Sequence, residues 1–288
     1  MLVWIAGTAL VLFLTLYIIA RGFIRLATST GTVARTAYRE KKARVASPAG
    51  ALRRREFARF LGSPTYMLNC GLGSVIGVAF AGFLLIRNSW AYENLSVLSE
   101  AVGIGIPRFA PIAAAAVCMV LSTVAITAPS VSLEGRTIWL SQSLPVTPWQ
   151  VLRAKLAVHL WVGGIPALLC GVAVAAALRL PFPTAVMTVI LLLLFTLLQA
   201  CFGLFVNLLH PNLTWVSEMT PIKQSLGVLF SLLGGWGYAA LLGVGGYFLT
   251  VPVPAWVALL ALNLLTALLS LLLLRWLKGR GARIFATL

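Results

Sequence analysis

Aspartate is missing from this chain of 288 residues, and its six acids are all glutamate. Charged residues of both signs make up 10% of the sequence, against roughly 25% in an ordinary soluble domain. That is too few to cover the surface of a water-soluble fold of this length. Histidine occurs twice, as His159 and His210, with no partner at metal-ligand spacing. The four cysteines, Cys70, Cys118, Cys170 and Cys201, fall inside apolar runs and read as small packing residues rather than ligands or disulfide partners. No G-x-x-x-x-G-K-[ST] loop is present, which excludes ATP binding by that route. No Glu, Lys or Arg lies near the centre of a long apolar run. That argues against a self-powered ion-coupled pump, whose ion must be bound and released within the membrane.

What is abundant is grease. Hydrophobic residues account for 60% of the chain, and the mean hydropathy is +0.99. They come in runs of about the 20 residues that a helix needs to cross a bilayer core. The pattern predicts an all-α, polytopic transmembrane bundle of seven spans: 2–20, 64–86, 109–128, 156–178, 185–207, 226–250 and 255–275. The first run is followed, not preceded, by a basic residue, Arg21, the wrong order for a secretory signal. Gly73 and Gly77 form a G-x-x-x-G in the second span, and Gly234, Gly235, Gly237, Gly243, Gly245 and Gly246 crowd the sixth. Small residues of this kind let helix backbones approach closely.

The net charge of +16 is read as topology rather than as nucleic-acid affinity, because the cations sit between spans. With these spans, nineteen Lys and Arg fall on one side and three, Arg87, Arg108 and Arg179, on the other. By the positive-inside rule the N-terminus is outside and the C-terminus is cytoplasmic. Ser63-Pro64, Thr147-Pro148 and Thr220-Pro221 each place a capping hydroxyl before a proline suited to a first helical turn. Gln150, three residues after Thr147, completes a capping box. Leu180-Pro-Phe-Pro183 and Val251-Pro-Val-Pro254 predict tight outer turns.

The domain layout expected from this is an N-terminal helix (1–20), a basic connecting segment (21–63), six spans (64–275) and a basic tail (276–288). Within the connecting segment two helical pieces, 33–45 and 50–62, are separated at Ser47-Pro48. The second carries Phe57, Phe60 and Leu61 on one side, with Arg54, Arg55 and Arg59 away from them. Together with Arg53, these arginines suit a helix lying in the interface near anionic headgroups; a solvated basic linker is the alternative. Two further connections, 129–155 and 208–225, carry apolar side chains that need cover, Ile138, Trp139 and Leu140 in one and Trp215 in the other. Lipid headgroups or a partner protein would supply it.

Three stretches carry a family resemblance. Ser132-Leu-Glu-Gly-Arg136 with Trp139, Ser143-Leu-Pro145, Leu152 and Lys155 resembles permeases of bacterial ATP-binding cassette (ABC) exporters. The likeness is to the type-2 class, in the group of putative exporters from Gram-positive bacteria. Asn207 to Gln224, with His210, Trp215, Glu218 and Lys223, is similar to that group's second cytoplasmic loop. Phe60-Leu-Gly-Ser-Pro-Thr-Tyr-Met-Leu-Asn69 is similar to the start of its first permease span. The resemblance implies a six-helix permease unit, of which this chain looks like the C-terminal portion. It implies no cofactor and no enzyme activity in the chain itself, since ATP would be bound by a separate ABC ATPase subunit. Glu134, Gly135, Arg136, Trp139 and Leu140 would form the coupling surface. A second permease chain or a missing N-terminal half, and membrane lipid, are the other expected partners; nucleic acid is not. A membrane scaffold or assembly protein, and a membrane-embedded enzyme, remain as alternative classes.

Overall fold

The computed structural model describes residues 12–17, 20, 47–101, 103 and 105–288. The chain divides into two units, residues 1–45 and 46–288. In the first, residues 12–17 are helical; the remainder of the predicted span 2–20, the stretch 21–46 and with it the helical piece 33–45 lie outside the described residues.

In the second unit the described residues form an all-helical bundle. Its elements are α1 (Pro48–Gly62), α2 (Pro64–Ile86), α3 (Asn88–Ala101), α4 (Ile106–Leu121), a 3₁₀ turn (Ser132–Thr137), α5 (Ile138–Ser143), α6 (Pro148–Ala177), α7 (Phe182–Leu209), α8 (Met219–Lys223), α9 (Leu226–Leu249) and α10 (Ala255–Trp276), followed by a wide turn and α11 (Ala282–Thr287). Five helical stretches are long and apolar enough to cross a membrane: Pro64–Ile86, Pro148–Ala177, Phe182–Leu209, Met219–Leu249 and Ala255–Thr287. The protein is therefore a polytopic membrane protein. α7 is the hub, packing against α4, α6, α9 and α10, while α2 lies on α6. Outward faces carry exposed Leu, Val and Phe, such as Leu72, Val75, Val244, Leu264 and Leu271. In a bilayer these faces meet lipid tails and lose nothing by exposure.

Local chemistry sets most boundaries. Ser47 caps α1 by accepting from Gly50 N, and Ser63 caps α2 by accepting from Tyr66 N. Thr147 and Gln150 make both bonds of the capping box and start α6 at Pro148, two turns before the predicted 156. Thr220-Pro221 is the exception. Those residues lie inside α8, and Ser225 caps α9 instead, accepting from Gly227 N.

The predicted third span, 109–128, is the main correction. α4 ends at Leu121 after 16 residues, about 24 Å of helix, and the chain continues as irregular backbone to the 3₁₀ turn. The reason is local. Thr123, Val124, Ile126 and Thr127 are β-branched, and Pro129 denies the helical region to its predecessor. Ser122 and Thr123 hydroxyls bond back to Cys118 O and Val120 O and compete with helix continuation. The stretch Leu121–Gly135 is buried throughout except for half-buried Thr123. The connection expected to begin exposed at 129 is instead interior as far as 135. Gly73 of α2 makes room for it, since a methyl there would collide with Thr123 Oγ1, while Gly77 makes room for α6, where a methyl would sit 3.0 Å from Pro166 Cβ.

Candidate functional site

Irregular backbone inside an apolar bundle must find partners for its polar groups, and three helices and the loop before α8 supply them. Tyr66 of α2 donates to Ile126 O at 2.6 Å, and Ala125 N donates to Cys70 O at 3.1 Å. Asn207 of α7 accepts from Val131 N and Ser132 N at 2.7 and 3.1 Å, while its amide donates to Ser132 Oγ at 2.7 Å. Thr127 Oγ1 lies 3.3 Å from His159 Nδ1 on α6. Trp215, in the loop before α8, donates from Nε1 to Ser132 O at 2.6 Å. The segment is clamped from every side.

At its end lies an ionic node. Lys155, two turns into α6 and with a side chain that is 0% exposed, donates to Glu134 Oε1 at 2.6 Å, Glu56 Oε2 at 3.1 Å and Ser130 O at 3.0 Å. Arg59 of α1 donates to Glu134 Oε2 at 3.0 Å. Arg55 donates to Glu134 Oε1, Glu56 Oε1 and Ser141 Oγ at 2.9 to 3.1 Å. Ser141 of α5 donates to Glu134 Oε2 at 3.1 Å. Three cations thus enclose two carboxylates. Burial pushes the Glu134 carboxyl up, but the Lys155 ammonium and the Arg59 guanidinium outweigh it and hold it well below the usual carboxylate range. Arg59 is pushed down by burial and, more strongly, up by Glu134. The node joins α1, the irregular segment, α5 and α6. Most of its donors and acceptors answer one another, although Arg55 Nε and Arg59 Nη1 are buried without a hydrogen-bond partner. It fastens these elements to one another.

Beside the node the chain makes its one sharp turn here. Gly135 has φ +54° and ψ −142°, a conformation that L side chains rarely adopt, and Trp215 leaves a Cβ only 3.1 Å of room. Beyond that turn Arg136, Trp139 and Leu140 are exposed, Trp139 at 60%.

The residues singled out from the sequence therefore part company. Glu134 and Gly135 are buried, so neither belongs to an exposed docking loop, whereas Arg136, Trp139 and Leu140 share one exposed face. Trp215 packs over Gly135 and joins the two connections. Glu218 is exposed and accepts from Ser63 Oγ at 2.8 Å, while His210 and Lys223 are exposed and take no part in the node. Arg53 and Arg54 face outward, but Arg55 and Arg59 do not point to headgroups. They flank the buried stripe Leu52, Glu56 and Phe60 of α1 and turn into the node. Of the predicted apolar side of α1, Phe60 is buried, Phe57 half-buried and Leu61 exposed.

Three central residues went unassigned in the sequence: Glu56, Lys155 and Asn207. A signal existed for the first two. Glu56 is the lone acid among four arginines, and Lys155 is flanked by Val151, Leu152, Ala154 and Leu156, a setting in which a cation needs a partner. The four cysteines are free and buried, as packing residues would be. Among the described residues no group of His, Cys, Asp and Glu could hold a metal.

Comparison with known proteins yields no match to a family model, a curated protein or a solved structure. The class established by the fold is that of an all-α, multi-pass membrane protein.

Proposed function

We propose that this chain is the membrane subunit of an ATP-driven exporter of the ABC type, whose energy is supplied by a separate ATPase. The observation that carries the reading is the link between an exposed tip and the spans. Arg136 stands in the 3₁₀ turn, and Trp139 and Leu140 stand on the short helix that follows it, α5, which Ser141 and Glu134 tie through the node to α1 and α6. A push on such a tip is delivered to a membrane-crossing helix rather than absorbed in a loose loop. The ATPase would dock on this tip, with nucleotide-driven closure tilting α6. A second permease chain or further spans would complete the pathway, seated against the apolar outward faces.

Glu134 is a poor probe of docking, because removing it exposes buried cations and damages the fold. The useful variant is Trp139→Ala with Leu140→Ala, at exposed positions. The expected result is retained folding in detergent with loss of ATPase co-purification and of ATP-dependent export. A doubly substituted chain that still binds the ATPase and exports at the parent rate would overturn the docking role.

A further inference from the structure

A groove of about 470 Å³ opens at the Lys155 end of the bundle, between α1, the first turns of α6, α7 and the end of α10. Its lining is graded. Arg53, Trp149, Gln150 and Arg153 form the rim; Leu160, Trp161, Leu197 and Leu274 form the floor. Along α6, Arg153 and Leu160 are separated by about 10 Å, so a cationic mouth lies over a greasy base one headgroup deep.

Among the described residues no carboxylate neutralises either arginine. Arg53 donates from Nε to its own helix at Ala49 O, and neither Arg53 nor Arg153 is in an ion pair among the described residues. No carboxylate lines the groove. Glu56 and Glu134, the nearest acids along α1 and in the 3₁₀ turn, are committed to the node. Two exposed guanidiniums with no ion pair among the described residues attract an anion, and a phosphate matches their forked donors. Tryptophans at such a boundary sit at headgroup level. A free phosphate would leave Leu160, Trp161, Leu197 and Leu274 uncovered, whereas a phospholipid satisfies both zones.

We propose that this groove holds one anionic phospholipid, its phosphate between Arg53 and Arg153 and its acyl chain along Leu160, Leu197 and Leu274. The lipid would bridge α10 to α1 and α6, to neither of which α10 has an ion pair among the described residues. The inference depends on the membrane class of the protein and not on the ATPase partner.

The test uses the whole chain in phosphatidylcholine vesicles containing acyl-brominated phosphatidylglycerol, or acyl-brominated phosphatidylcholine at the same fraction. Tryptophan quenching should be stronger with the anionic lipid. Removing Trp149 and Trp161 together (Trp149→Phe, Trp161→Phe) should abolish that difference. Arg53→Ala and Arg153→Ala should each weaken the preference about fivefold, while Arg54→Ala, exposed but outside the groove, should leave it intact. Added inorganic phosphate should release nothing. Equal quenching by both lipids would mark an unselective lipid contact, and displacement by phosphate a free-anion site. Either result, or a preference that survives loss of both arginines, overturns the proposal. All the substituted side chains lie at the groove or the surface, and gel filtration of each variant reports that the bundle is intact.

Discussion

Lys155 is the residue on which the node turns. Its ammonium is fully enclosed and serves both Glu56 and Glu134, so Lys155→Met leaves two buried carboxylates facing only the arginines. Breaking a buried pair from one side costs about 3–5 kcal/mol; the expected outcome is a large drop in melting temperature in detergent. Glu134→Gln, which keeps shape and hydrogen bonds to Ser141, should cost less. The depressed carboxyl of Glu134 also sets a direction with pH. Its contribution is complete above the ordinary value of 4.5 and declines as pH falls below it towards the folded value. Thermal stability should therefore lose an increment below about pH 5, and Glu134→Gln should lack that increment. Gly135→Ala introduces a side chain at φ +54° against Trp215. A penalty of about 1–3 kcal/mol is expected, with Trp215 fluorescence shifted as the indole is displaced.

Among the elements, the irregular stretch 122–131 is the most dependent on its neighbours. It has no ladder of its own, and Asn207 alone answers its last amide, Val131 N, and the next one, Ser132 N. Asn207→Leu strands those donors in the interior at about 1–3 kcal/mol each. Hydrogen exchange at Val131 and Ser132 should accelerate while exchange within α6 and α7 stays slow. Uniform acceleration across the bundle would mean that the segment is integral to global stability rather than held separately. This stretch also explains where sequence reading stopped. Ser122 to Ala128 are mostly apolar or hydroxyl residues that a hydropathy window averages into a span, yet β-branching and Pro129 end the helix. The caps at Ser63 and Thr147 were legible because they are contacts within three residues. The node was not, because Glu56, Glu134 and Lys155 are separated by 78, 21 and 99 positions, and only packing brings them together.

For the molecule as a whole, the described spans alternate between two ends. One end holds the starts of α2, α6 and α9 and the node. The other holds a cavity of about 580 Å³ among Arg108, Pro183, Val251 and Trp256. There Arg179, at φ +47°, stands 4.1 Å over the Tyr92 ring and ties α3 to the turn before α7. Single cysteines placed at Trp139 and Arg54 should react with a membrane-impermeant thiol reagent from one and the same side. One at Pro252 should react from the other side, and the charge bias of the sequence predicts that the Trp139 side is cytoplasmic. Labelling of Trp139 and Pro252 positions from a common side would refute the arrangement.

By itself the sequence determined the membrane class, the helical architecture and most span boundaries, because these follow from hydropathy, periodicity and caps that act over a few residues. Tertiary structure alone decided that the stretch after Leu121 is buried as far as Gly135, that Glu134 faces inward and that Arg55 and Arg59 serve a buried node while Arg53 joins no ion pair among the described residues. Those outcomes depend on which distant charge or carbonyl a side chain meets once water is excluded, and no local pattern records that meeting.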